Sequence, residues 1–131
     1  MHEPSALSMA LQLMGPLEGR IMGAVWSGSV RQPFVVRDVQ KVTPELAYTT
    51  LMTTLSRLAE KGILSQERVP HQRAYEYRSA GTPEQFLSAI SREQVSRMVE
   101  QFGEVALAAF AARLEELSPA QRERLRKAAG D

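Results

Sequence analysis

No cysteine occurs among the 131 residues. Disulfide bracing and thiolate metal sites are therefore excluded, and the chain suits a reducing compartment. Histidine is nearly as scarce, with only His2 and His71. Neither has Asp, Glu or Cys partners at ligand spacing, so no metal and no other cofactor is expected. The uninterrupted apolar run of about 18 residues that a bilayer span requires is missing, and no basic stretch precedes the apolar residues near the N-terminus. Such a start differs from a secretory leader. The expectation is a soluble, cytoplasmic protein with no membrane insertion. Catalytic patterns are also lacking: there is no glycine-rich phosphate loop and no Ser/His/Asp or Cys/His set. Glu115 and Glu116 are sequence neighbours, which on a helix do not face one another. An enzyme is not expected.

With 44% hydrophobic and 24% charged residues, the composition is that of an ordinary globular domain with a real core. The net charge of +1 hides an asymmetry. Residues 20–80 carry nine Lys/Arg against five acids, while the segments on either side are slightly acidic. A basic middle hints at a polyanionic partner.

The pattern divides the chain into a flexible arm or frayed extra turn over 1–14, a compact unit over 15–80 and a helical region over 81–131. Pro16 suits the first turn of a helix, in which Leu17, Ile21, Ala24 and Val25 recur at helical spacing up to Ser27-Gly28-Ser29. Trp26 is read as core. Residues 31–35, broken by Pro33, suit a short edge strand. VRDVQKV follows, about two helical turns with Val36, Val39 and Val42 on one face, and Thr43-Pro44 turns the chain.

The next helix, around 47–61, buries Leu51, Leu55 and Leu58 and stops at Gly62. Its opposite face holds Thr49, Met52, Thr53 and Ser56, flanked by Arg57. Threonine is a mediocre helix former, so something other than helix stability selects that face. ILSQERV and RAYEYR then read as a hairpin turning at Pro70-His71-Gln72, with Tyr75 and Tyr77 alternating onto one face as wing packing. Three helices, a short strand and a hairpin make the order of a winged helix-turn-helix. The fold class expected is mainly α with a small β-hairpin wing, followed by C-terminal helices. Thr82-Pro83-Glu84-Gln85 and Ser118-Pro119-Ala120-Gln121 both match a capping box.

Several short stretches, in this order and spacing, resemble the penicillinase-repressor family of bacterial winged-helix regulators. They are Gly15-Pro16-Leu17-Glu18 with Ile21-Met22 and Trp26; Tyr48-Thr49-Thr50-Leu51-Met52-Thr53 with Leu55, Arg57-Leu58 and Lys61-Gly62; Arg73 with Tyr75 and Tyr77; and Leu117-Ser118 leading into the last helix. The match spans roughly 15–128. The resemblance implies a homodimeric transcriptional repressor that binds an inverted repeat in double-stranded DNA. It also brings in a membrane-linked sensor protease that, in one branch, cuts the C-terminal region; the comparable stretch here is near Ala109-Phe110. Family members often carry lysine near positions 49 and 52, where this chain has Thr49 and Met52, so the family's usual operator is not assumed and the operator sequence stays open. A copper-responsive branch binds metal through cysteines that this chain lacks.

On that reading Thr49, Thr53 and Ser56 hydrogen-bond base edges or phosphates, and threonine or Met52 methyls meet a thymine methyl. Tyr48 and Thr50 in the first turn suit phosphates, and Arg57 the backbone. From the wing, Arg68, His71, Gln72 and Arg73 reach an adjacent phosphate or the minor groove. The C-terminal stripe of Val95, Met98, Val99, Phe102, Leu107, Phe110, Leu114 and Leu125 is long for a segment with only a small wing to cover. Burying it against a second copy makes a two-fold dimer; folding back on its own domain is the alternative for about half of these side chains, chiefly those of the first helix after the wing. Two other readings stay open: a ligand-gated winged helix, and a winged helix that binds protein. The basic middle and the threonine face count against the latter, because protein-binding faces carry larger apolar anchors.

Overall fold

A computed structural model describes residues 4–129, divided between Ala89 and Ile90 into two compact units. The first unit holds α1 (Ala6–Gln12), α2 (Pro16–Trp26), α3 (Val36–Val42), α4 (Tyr48–Glu60), β1 (Leu64–Arg68) and β2 (Tyr75–Ser79). Pro16 opens α2 at its first turn, where a missing N–H costs nothing. At the start of α3 the Val35 N–H donates to Asp38 Oδ2 at 2.9 Å. The end of α4 is a Schellman turn: Gly62 lies at φ 78, its N–H donates to the Ala59 carbonyl, and the Ile63 N–H donates to that of Leu58.

These elements enclose one core. Ile21, Met22 and Val25 of α2 meet Val36 and Val39 of α3, Leu51, Leu55 and Leu58 of α4, and Leu64 and Tyr77 of the hairpin. Each such aliphatic side chain, taken fully out of water, contributes roughly 1.5–3 kcal/mol. The two strands are antiparallel, with Leu64 opposite Ser79 and Arg68 opposite Tyr75. The edge strand expected over 31–35 shrinks to a single bridge between Phe34 and Tyr77. Pro33 has no N–H to extend the ladder, and α3 begins two residues after Phe34. Trp26 is half-buried rather than fully core.

A second difference concerns the N-terminus. Residues 6–12 form a helix where the sequence predicts a loose arm or frayed turn. Ser5 caps it, its side chain accepting from the Ser8 N–H at 3.0 Å, and Ala10 is fully buried. Leu11 and Met14 pack on the core. The reason lies in α2, where Gly19 and Gly23 sit one turn apart beneath Leu11. A Cβ on Gly19 would stand 3.3 Å from the Leu11 carbonyl oxygen, and one on Gly23 3.5 Å from Leu11 Cδ1. The two glycines make room for close helix contact.

Helix α5 (Pro83–Phe102) starts in the first unit and runs into the second, which also holds α6 (Glu104–Glu115) and α7 (Pro119–Ala128). Both capping boxes form: Thr82 Oγ1 accepts from the Gln85 N–H at 3.1 Å while Gln85 Oε1 accepts from that of Thr82 at 2.9 Å, and Ser118 and Gln121 repeat the exchange. Gly103, at φ 63, separates α5 from α6. Among the described residues of this second unit only Ala106 is buried. Thus three helices rich in apolar side chains have almost no core of their own.

Candidate nucleic-acid interface

Helix α4 buries Leu51, Thr54, Leu55 and Leu58 and turns the rest outward. Tyr48, Thr49, Thr50, Met52, Thr53, Ser56 and Arg57 are all exposed. Thr49, Met52, Thr53 and Ser56 stand three and four apart, so they form one stripe opposite the buried one. Inside the stripe the Thr53 hydroxyl donates to the Thr49 carbonyl at 3.0 Å. Buried Thr54 makes the same bond to Thr50 at 2.8 Å, which explains how a threonine hydroxyl is satisfied on the apolar face.

Both ends of α4 are tied to α2. Before its start, Glu45 pairs with Arg20 of α2. The Glu45 carboxyl is held below its usual range by its own backbone N–H, and then by the Arg20 guanidinium. At its end, Lys61 Nζ donates to both carboxylate oxygens of Glu18, at 2.8 and 3.0 Å. Exposed pairs of this kind are worth about 0–1 kcal/mol each. Their contribution is to orientation, with opposite charge order at the two ends. The Arg37 guanidinium of α3 lies 5.6 Å from the centre of the Tyr48 ring, which sets a cation beside the first turn of α4. Arg37 was missed in the sequence because its partner lies on the next helix, and no spacing rule links the two.

Ser56 differs from its neighbours in the stripe. Burial pushes the pKa of the Tyr77 hydroxyl above 10.0, and nearby Ser56 partly offsets the rise. Ser56 thus lies beside the wing's Tyr77 as well as facing outward.

The wing projects its loop between Arg68 and Tyr75, where the Gln72 N–H donates to the Val69 carbonyl at 3.2 Å. His71 takes a left-handed conformation at φ 70. Arg68, His71, Gln72 and Arg73 are all exposed there. The alternation of Tyr75 and Tyr77 has unequal ends: Tyr77 is 3% exposed and Tyr75, nearer the loop, 42%. No group of three or more His, Asp or Glu able to hold a metal occurs among the described residues; His2 lies outside them. Nor is any described helix long and apolar enough to cross a membrane.

In the second unit Val95, Met98, Phe102, Leu107, Leu114 and Leu125 are exposed, between 40% and 53%, and Val99 and Phe110 are half-buried. Ala109 and Phe110 lie within α6.

Three helices, a backbone bridge and a two-stranded wing, followed by C-terminal helices, define a winged helix-turn-helix protein. The chain belongs to the penicillinase repressor family, whose model matches residues 14–130. It is similar to the transcriptional regulator BlaI of Mycobacterium tuberculosis, in strain CDC 1551 / Oshkosh, with 40% identity over 70 residues covering 51% of this chain and 48% of that protein. BlaI of strain ATCC 25618 / H37Rv matches to the same extent. The chain therefore spans about half the length of the curated relatives it matches. Among solved structures, a MarR/EmrR family transcriptional regulator from Acinetobacter sp. ADP1 is similar at 17% identity and a TM-score of 0.44, over 87% of this chain and 78% of that one.

Proposed function

We propose that the protein is a homodimeric transcriptional repressor that recognises an inverted repeat in double-stranded DNA through α4 and the wing. The observation that carries this reading is the outward stripe of α4. Thr49, Met52, Thr53 and Ser56 are short or unbranched at the tip and exposed, on a helix whose other face is anchored in the core. Such a face can enter a major groove, and the N-terminal residues of a recognition helix meet base edges there. Tyr48 and Thr50, with Arg37 beside them, suit phosphate contact at the helix start. Arg57 and the wing residues Arg68, His71 and Arg73 add the contacts that set register on the duplex.

Membership of the penicillinase repressor family and similarity to regulators named BlaI support the repressor role. Dimerisation is supported by the second unit. Val95, Met98, Val99, Phe102, Leu107, Phe110, Leu114 and Leu125 supply apolar surface there, and Ala106 is its only buried residue among those described. A two-fold partner covers such stripes isologously.

Footprinting on the DNA upstream of the chain's own gene tests both halves. Two protected patches related by an inverted repeat, centred about one duplex turn or a multiple apart, are expected. A single short patch, or uniform protection, would remove the dimeric operator reading.

A further inference from the structure

The outward stripe of α4 also has a chemistry that names what it reads. The helix YTTLMTTLSRLAE contains no Lys, Asn or Gln, and its one Arg, Arg57, falls in the last turn. Bidentate contact to guanine comes from Arg or Lys and to adenine from Asn or Gln, so the first two turns hold no bidentate donor. Thr53 has committed its only hydroxyl proton to the Thr49 carbonyl at 3.0 Å. It therefore offers outward a methyl group and acceptor lone pairs, which find no partner on the acceptor-only edge of guanine. Met52, next to it, is 46% exposed and wholly without a donor. Ser56 lies near the Tyr77 hydroxyl and lowers its pKa.

Resting on the repressor reading above, we propose that Thr49, Met52 and Thr53 form an apolar reading patch for thymine C5-methyl groups. Each half-site then presents thymines to the first two turns of α4, and discrimination rests on methyl contact rather than on guanine hydrogen bonding. The patch accepts hydrogen bonds and does not donate them at Thr53, so an adenine amino group is tolerated beside the thymines. Arg57 and the wing supply charge without reading these bases.

The test compares three versions of one duplex, the upstream DNA of the chain's own gene: unmodified, with deoxyuridine for every thymidine, and with 7-deazaguanine for every guanine. Titrations use the full chain and the variants Met52→Ala, Thr53→Ser and Thr53→Val. Removing the C5-methyls is expected to weaken binding about fourfold for each methyl that the patch covers, with little change on the 7-deazaguanine duplex. Met52→Ala and Thr53→Ser lose part of that discrimination. Thr53→Val keeps the methyl while abolishing the bond to Thr49, and so retains it. Equal affinity for the thymidine and deoxyuridine duplexes would overturn the proposal, as would a loss on deoxyuridine that is the same in all four proteins. Failure to bind even the unmodified duplex would overturn the repressor reading itself, and this one with it.

Discussion

Phe34 and Tyr77 exchange both backbone hydrogen bonds, at 3.0 and 2.8 Å, and stack their rings 5.7 Å apart. The pair fastens the segment before α3 to the second wing strand. The Tyr77 hydroxyl also lies near Ser56 on α4, which lowers its pKa. One buried residue therefore ties the wing to the segment before α3 and packs in the same core as the inner face of α4.

Tyr77→Phe keeps the stack and the backbone bridge and removes only the hydroxyl contact. The expected loss is about 1 kcal/mol of unfolding free energy, measured by urea denaturation near neutral pH. Tyr77→Ala also opens a cavity and is expected to cost about 3–5 kcal/mol.

Burial raises the Tyr77 pKa above its ordinary 10.0, which gives stability a definite pH dependence. The unfolded chain ionises this tyrosine first. The contribution is therefore fully present below about pH 10 and is lost as pH rises through the folded-state value. Stability of the wild type is expected to fall more steeply above about pH 10 than that of Tyr77→Phe. Parallel slopes for the two proteins in alkaline denaturation curves would show that Tyr77 does not contribute.

Trp26 Nε1 donates to Ser79 Oγ and to the Gly81 carbonyl, both at 2.9 Å, and its ring lies 5.8 Å from that of Phe86. The tryptophan thus ties α2 to the end of the wing and the first turn of α5. Trp26→Phe leaves an aromatic ring but no donor; the Gly81 carbonyl still accepts from the Ser79 hydroxyl, so the loss is that of the indole's part-buried hydrogen bonds, about 1 kcal/mol. A fall of several degrees in Tm is expected by calorimetry.

Gly19→Leu pushes a side chain into the space that α1 occupies, because even a Cβ there stands 3.3 Å from the Leu11 carbonyl oxygen. Displacement of α1 is expected, read as loss of amide protection over residues 6–12 in hydrogen exchange. The cost to the unit should stay within about 1–3 kcal/mol, since α2 keeps Ile21, Met22 and Val25 in the core.

Much of this architecture is legible in the sequence because its punctuation is chemical. Pro16, Gly62, Thr82 and Ser118 each stand where the backbone needs a special residue, and the helix ends fall beside them. Apolar spacing places Leu51, Leu55 and Leu58 inward and so leaves Thr49, Met52 and Thr53 outward. The helix α1 is less legible, since a seven-residue helix has little periodicity and depends on a glycine groove in its neighbour. The bridge at Phe34 and the contacts Arg37–Tyr48 and Ser56–Tyr77 join residues distant in sequence or in different elements. No local pattern encodes them.

The proposal that α4 reads bases while the wing contacts phosphates is tested most directly by binding titrations across a salt series. The duplexes are the upstream DNA and a scrambled sequence, and the proteins are the wild type, Thr53→Ala and Arg73→Ala. The wild type is expected to prefer the upstream DNA, with affinity falling steeply as salt rises. Arg73→Ala should weaken binding to both duplexes alike and reduce the salt slope by about 1. Thr53→Ala should keep the slope and lose much of the preference. Equal, weak binding of the wild type to both duplexes, or a preference unchanged in Thr53→Ala, would contradict the account.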